Sequence, residues 1–224
     1  MLKIATDKES LVMDFFSGSA TTAHAIFKAN AADGGHRHFI LVQLQEKTVS
    51  PDYESICDIG KERIRRAGKK IKSEAGLLAQ NLDVGFRVLK LDESNMKDVY
   101  YSAAAYTQDG LAAMESNIKE DRSDLDLLYG CLLAWALPLS LPYCAETIDG
   151  CTVHTYGSTD PAEERAPLKA CFDEKVPESV VRAMAARKPL RVVFRDSSFA
   201  SSPERINVEE IFKLLAPNTS VRVI

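Results

Sequence analysis

The sequence predicts an α/β fold in two parts, and three observations predict it. Short apolar runs alternate with helical stretches through the first ninety residues. The last fifty-five or so residues read strand, helix, strand, helix, strand. Gly and Pro together number only 11 plus 9 in 224 residues, too few for a collagen-like or low-complexity chain. With 46% apolar and 27% charged residues the chain can bury a core without disulfide or metal staples.

Leu11-Val12-Met13-Asp14-Phe15-Phe16 is an apolar run that enters Ser17-Gly18-Ser19, which predicts a fully buried parallel strand and a tight turn. A helix follows from Ala20 to about Asn30, stopped by Asp33-Gly34-Gly35. His38 to Leu44 then reads as a second buried strand, completing a strand–helix–strand unit of the length a parallel crossover needs. Ser50-Pro51-Asp52 has the composition of a helix start, and the helix extends to about Ala75 with Tyr53, Ile56, Ile64, Ala67 and Ile71 on its apolar stripe. Gly60 and Gly68 weaken that helix. Val84 to Leu91 alternates toward its end and predicts a third, more exposed strand.

From Asp92 to about Glu120 the pattern is weak, with turns expected at Ser94-Asn95-Met96, Tyr100-Tyr101 and Thr107 to Gly110 around a short helical piece. The domain boundary falls here, giving parts 1–92, 93–120 and 121–224. A helix is predicted over Ser123 to Ala136 from Leu125, Leu128, Leu132 and Trp135, ended by Pro138. Strands at Ala170–Phe172, Leu190–Phe194 and Val221–Ile224, with helices at Pro177–Arg187 and Val208–Leu215, make a second, smaller βαβαβ domain. Ser158 to Pro167 reads as a polar loop and an insertion.

Charge and cysteines restrict the function classes. Twenty-eight Lys+Arg against 32 Asp+Glu leave −4, which by itself does not support a nucleic-acid binder. The five cysteines are odd in number, scattered and free of Cys-x-x-Cys, so they read as reduced thiols of a cytoplasmic protein. Neither a signal peptide nor a membrane span is expected.

The first strand and turn carry the chemistry. A strand that delivers an acid and aromatics into a glycine turn opening a helix suits a nucleotide or nucleoside, because glycine admits the ligand to the backbone and the helix amides face electron-rich groups. The dinucleotide fingerprint needs Gly-x-Gly-x-x-Gly, and Gly18 is the turn's one glycine. A phosphate loop needs Gly-Lys-Ser/Thr, and this turn has no lysine. What remains, Asp14-Phe15-Phe16-Ser17-Gly18-Ser19-Ala20-Thr21-Thr22, resembles the Phe-x-Gly-x-Gly cofactor motif of amino-methylating DNA methyltransferases. The motif's final glycine is Ala20 here, a modest intrusion if that methyl packs toward the helix.

The longer string is more specific. Residues 14–25, Ala32 to Leu44, Ile56 to Gly68 and Asp83 to Arg87, in that order, resemble the modification subunit of type III restriction-modification systems, an adenine-N6 DNA methyltransferase of the permuted class. The resemblance continues through Asp92-Glu93-Ser94-Asn95-Met96 and Leu190 to Pro203. It implies a partial Rossmann-like, S-adenosylmethionine-dependent methyltransferase sheet ahead of the carboxyl α/β domain. It also implies a cofactor pocket lined by Asp14, Phe15, Phe16, Ser17, Gly18, Ser19 and Thr21, with Asp14 on the methionyl ammonium. Gln43, where methyltransferases commonly hold a ribose-binding acid, and Glu46 just beyond complete the set.

Methyl transfer to an exocyclic amine needs a flipped base held by Asp/Asn-Pro-Pro-Tyr/Phe. No two of the nine prolines are adjacent, so that motif is absent. In the permuted class it precedes the cofactor motif together with the target-recognition region. The resemblance therefore implies the carboxyl-terminal part of a longer enzyme, inactive alone. Its partners would be DNA through the amino-terminal part, a second methyltransferase subunit and the restriction helicase-nuclease. The alternative is an assembly module or remnant that pairs subunits or docks the restriction subunit without binding cofactor.

Other features read as structure. The basic stretch Lys61 to Lys72 is flanked by Glu54, Glu62 and Glu74 and reads as a solvated helix face. His36-x-His38 and Cys151-x-x-His154 lack further ligands nearby and read as strand edges. His24 is expected to pack within its helix, Trp135 to sit in the core, and Arg195-Asp196-Ser197-Ser198 to form a β–α turn.

Overall fold

A computed structural model describes residues 2–75, 82–97, 117–199 and 201–224. The chain forms two compact units, residues 1–88 and 89–224. The turns expected at Tyr100-Tyr101 and Thr107 to Gly110 lie outside the described residues.

The first unit opens with a single helical turn, α1 (Leu2–Ala5), followed by β1 (Leu11–Asp14), α2 (Thr21–Asp33) and β2 (His38–Leu41). The strands pair in parallel with Leu11 opposite His38 and Asp14 opposite Leu41, as the strand–helix–strand spacing predicts. Gly34, at φ 66°, ends α2 by returning its N–H to the Asn30 carbonyl. The Asn30 side chain then exchanges two hydrogen bonds with the Arg37 backbone, and the Arg37 guanidinium takes both carboxylate oxygens of Asp33 at 3.0 and 2.8 Å. This lock sets the entry of β2.

The strands are not fully buried. Val12, Phe39 and Leu41 are half-buried, whereas Leu11, Met13 and Ile40 on the other face stay open. The physical reason is one-sided cover. Ala20, Ala23 and Phe27 at the start of and along α2 and Ile64, Ala67 and Ile71 of α3 (Ile56–Ala75) make one core, against which Phe39 and Leu41 pack. None of the described residues of this unit covers the opposite face.

Helix α3 starts four residues after Asp52. Ser55 and Asp58 cap each other reciprocally: the Ser55 N–H and hydroxyl donate to Asp58 Oδ2 at 3.0 and 2.6 Å, and the Asp58 N–H donates to Ser55 Oγ at 3.3 Å. The Ser50–Asp52 segment instead turns between Thr48 and Glu54, whose backbones bond at 3.1 Å beside the Lys47–Ser55 bridge.

The third strand expected at Val84 to Leu91 does not form. Leu82, Val84 and Phe86 alternate inward as a strand would, but they lie on α3. A Cβ on Gly68 would sit 3.0 Å from the Val84 Cβ, so the glycine that weakens the helix admits this segment. Arg65 covers the Phe86 ring at 5.7 Å.

The second unit is a five-stranded sheet in the order β3 (Tyr143–Ile148), β4 (Cys151–Tyr156), β5 (Leu168–Cys171), β6 (Arg191–Phe194), β7 (Ser220–Val223). The three last strands are parallel and joined by α5 (Glu178–Ala186) and α6 (Ser202–Leu215), which is the expected βαβαβ order. The antiparallel hairpin β3–β4 is added to it. Asp149-Gly150, at φ 48° and 84°, supplies its two-residue turn.

Alternation along the strands divides the sheet between two cores. Val153, Cys171, Val192 and Phe194 face α5 and α6. Tyr156, Leu168, Ala170 and Val193 face α4 (Asp124–Ala134) through Leu127, Leu128, Cys131 and Leu132. Leu125, expected on the apolar stripe of α4, is exposed, and Leu127 and Cys131 fill the face instead. Ser123 caps α4 in a box with Asp126. Lys169 is fully buried in β5, its Nζ donating to Thr155 Oγ1 and the Pro161 carbonyl, both at 2.7 Å, so it fastens the 158–167 loop.

Candidate cofactor turn of the first unit

The turn after β1 is held by its neighbours on three sides. The Val42 N–H donates to the Asp14 carbonyl at 2.8 Å and the Ser17 N–H to the Val42 carbonyl at 3.3 Å, so the strand pair continues into the turn. Ala20 closes it with a 2.7 Å bond to the Ser17 carbonyl. Gly18 and Ala20 both adopt left-handed conformations, at φ 50° and 60°.

Asp14 and Gln43 are drawn to this turn. Asp14 Oδ1 accepts the Phe16 N–H at 3.2 Å and Oδ2 accepts the Thr22 hydroxyl at 2.6 Å. Gln43, two residues past β2, accepts the Gly18 N–H on Oε1 at 2.8 Å. Its own position is supported by Cys57 of α3, whose Sγ lies 3.7 Å from the Gln43 carbonyl. Thr22 and Cys57 were not singled out from sequence; the second threonine of the Thr-Thr pair carried the signal for one of them.

Ala20 is 3% exposed and its methyl points to α3: a Cβ on Gly60 would stand 3.5 Å from it. The methyl therefore packs toward a helix and not over the turn. Above Gly18 the space is open, with no atom within 4 Å of where a Cβ would stand. Phe15 and Phe16 are exposed, Phe16 at 90%. Ser17 and Ser19 are half-buried, and Thr21 is the exposed first residue of α2, whose start no side chain caps. Glu46 is exposed, and its backbone carbonyl receives the Ile56 N–H that leads into α3.

These features fit S-adenosylmethionine by donor chemistry. Asp14 uses two of about four acceptor positions, so it retains capacity for an ammonium. Gly18 leaves room for a ligand against the backbone, and the exposed rings of Phe15 and Phe16 precede it in the same turn.

His24 is half-buried one turn along α2, and its Nε2 lacks a hydrogen-bond partner. Burial first, then Lys28, Arg63 and Lys70, hold its pKa below the ordinary value. Four basic residues of α3 pair with acids of the same helix: Lys61 with Asp58, Arg65 and Arg66 with Glu62, Lys70 with Glu74. His36 and His38 are exposed and join no cluster of metal ligands among the described residues. Among the described residues no helix is long and apolar enough to cross a membrane.

A parallel sheet with its crossover helix, followed by a five-stranded mixed sheet, makes this an α/β chain consistent with a methyltransferase-like fold. No family model matches it. Over 93 residues, 39% of this chain, it is 42% identical to the Mod subunit of the type III restriction-modification enzyme StyLTI of Salmonella typhimurium strain LT2. It is 39% identical over 97 residues to the EcoP15I Mod subunit of Escherichia coli, and 40% identical over 95 residues to the EcoPI Mod subunit of Escherichia phage P1. Each match takes in 14% of the relative's length. The resemblance to type III modification subunits therefore holds over about 40% of the chain.

Proposed function

We propose that this chain is the cofactor-binding, carboxyl-terminal part of a type III adenine-N6 DNA methyltransferase, and that its first unit binds S-adenosylmethionine. The observation that carries this reading is the turn itself: an acid at the end of a parallel strand, a left-handed glycine with open space above it, and aromatics at its rim. Asp14 would hold the methionyl ammonium. The backbone of Ser17, Gly18 and Ser19 would run beneath the ligand between Phe15, Phe16 and Thr21. Gln43 would fix the turn and reach the ribose with Glu46. Residues 1–92 form the cofactor part, 93–120 the connection and 121–224 the carboxyl domain.

The sequence has no adjacent prolines and so no Asp-Pro-Pro-Tyr motif, and the chain alone neither methylates DNA nor selects a site. Base capture belongs to the amino-terminal part of the whole enzyme. DNA, a second methyltransferase subunit and the restriction helicase-nuclease are its partners, in the cytoplasm.

Calorimetric titration of the chain with S-adenosylmethionine tests the cofactor reading. Saturable binding at one equivalent, lost in Asp14→Ala, is expected. Absence of heat up to about 1 mM ligand, a bound of roughly 4 kcal/mol on the binding energy, leaves the assembly-module reading. That second reading is favoured by the open face of Leu11, Met13 and Ile40, which suits cover by another protein segment.

A further inference from the structure

Two cysteines and an acid converge in the carboxyl unit. β4 begins at Cys151 and β5 ends at Cys171. The antiparallel register sets His154 opposite Ala170, which carries Cys171 level with Val153. Alternation then puts Cys151, Val153 and Cys171 on one face, in the core with Val176, Val180 and Phe194. His154, of the Cys-x-x-His spacing, points to the other core side, where Tyr143 Oη and Asp124 Oδ2 engage its ring nitrogens at 2.8 and 3.2 Å.

Asp173 turns back toward the cysteine pair from two residues beyond β5. Its Oδ2 accepts the Thr152 N–H at 2.6 Å and lies 3.7 Å from Cys171 Sγ, while its carbonyl accepts the Ser198 hydroxyl at 2.7 Å. Both sulfurs and a carboxylate oxygen fall within 4.8 Å of one another.

We propose that Cys151, Cys171 and Asp173 bind a thiophilic divalent cation of the Zn2+ class, with water as the fourth ligand. Tetrahedral Zn–S bonds of about 2.3 Å set sulfurs about 3.8 Å apart, so the cluster needs a contraction of about 1 Å or less. Two sulfurs and one oxygen disfavour Mg2+ and Ca2+, which take all-oxygen shells. The ligands are preorganised: two are fixed by paired strands and the third by bonds to Thr152 and Ser198. The sulfurs are enclosed by apolar side chains, and half-buried Asp173 opens the site toward water. On binding, two S–H bonds break and two metal–sulfur bonds form. Two protons leave to solvent, and two thiolates with one carboxylate around M2+ leave a net charge of −1.

The full chain, stripped by chelator under reducing conditions, is titrated first with Co2+ and then with Zn2+. One equivalent of Co2+ is expected to release two protons and produce a thiolate-to-cobalt charge-transfer band, which Zn2+ then abolishes by displacing the cobalt with no further proton release. Cys151→Ala and Cys171→Ala each weaken Zn2+ binding by more than about 100-fold, beyond the loss of an outer hydrogen bond. Asp173→Asn weakens it too, and Cys144→Ala leaves it unchanged. A folded wild-type chain that gives no charge-transfer band overturns the proposal, and so does a band that survives both Cys151→Ala and Cys171→Ala. The wild-type titration decides the matter even where a variant fails to fold.

Discussion

The Gly18 N–H donates to the Gln43 side chain at 2.8 Å, across 25 residues of sequence. This bond joins the end of the second strand to the turn that follows the first, so the turn's shape depends on β2 as well as on its own residues. Gln43→Ala removes the acceptor and is expected to cost about 1 kcal/mol, read as a lower urea midpoint at unchanged slope. The same variant weakens S-adenosylmethionine binding if the turn is the cofactor cradle, whereas Gln43→Glu preserves the acceptor and retains the stability.

Ala20 occupies a left-handed position in a buried spot. The conformation costs a non-glycine residue roughly 1–2 kcal/mol, and burying the methyl returns about 0.8 kcal/mol. Ala20→Gly is therefore expected to change stability by less than about 1 kcal/mol, since added chain entropy offsets part of the relief. Ala20→Val should lose about 2 kcal/mol or more, because a branched side chain is excluded from this region. Equal thermal midpoints for the Ala20→Val variant and the wild-type chain would sink the argument.

Burial pushes the Lys169 ammonium down to about 8, against an ordinary 10.5. Between those values the unfolded chain binds the proton more than the folded chain does, so this residue makes stability rise with pH across that window. Buried Cys131, pushed up to about 11, acts in the opposite sense from pH 9. The difference between wild type and Lys169→Met isolates the lysine: wild type should gain roughly 2–3 kcal/mol on the variant between pH 8 and 10.5. Urea titrations at three pH values measure it, and a flat difference would refute the assignment.

Burial, and after it the charges of Lys28, Arg63 and Lys70, hold the His24 pKa below its ordinary value, with Glu74 acting in the opposite sense. As pH falls below 6.5, the unfolded chain takes up the proton first and the folded state loses stability. His24→Gln should flatten that acid limb. An unchanged limb in thermal melts from about pH 7 to 5 would count against it.

Local signals made much of this legible. The β1–turn–α2–β2 unit and the carboxyl βαβαβ order follow from short apolar runs set between helix signals, and neither depends on a distant partner. Three features were hidden for physical reasons. Val84 to Leu91 alternates as a strand does, but its inward residues meet helix α3 at Gly68. Ser50-Pro51-Asp52 and Ser55-x-x-Asp58 are competing helix starts, and the reciprocal cap prevails. The β3–β4 hairpin had its Asp149-Gly150 signal, but its strands lie outside the repeating pattern that organised the rest. The Gly18–Gln43 and Asp14–Thr22 bonds belong to tertiary packing, which fixes a side chain's partner only once two strands and a helix have met.

The uncovered face of β1 and β2 has a practical consequence for anyone handling the chain. Leu11, Met13 and Ile40 line a short parallel ribbon beside Phe15 and Phe16, all exposed. Such a surface invites self-association at the concentrations used for titration. Yield and monodispersity should therefore improve most when the chain is coexpressed with a segment that shields this ribbon, before any change of buffer or temperature.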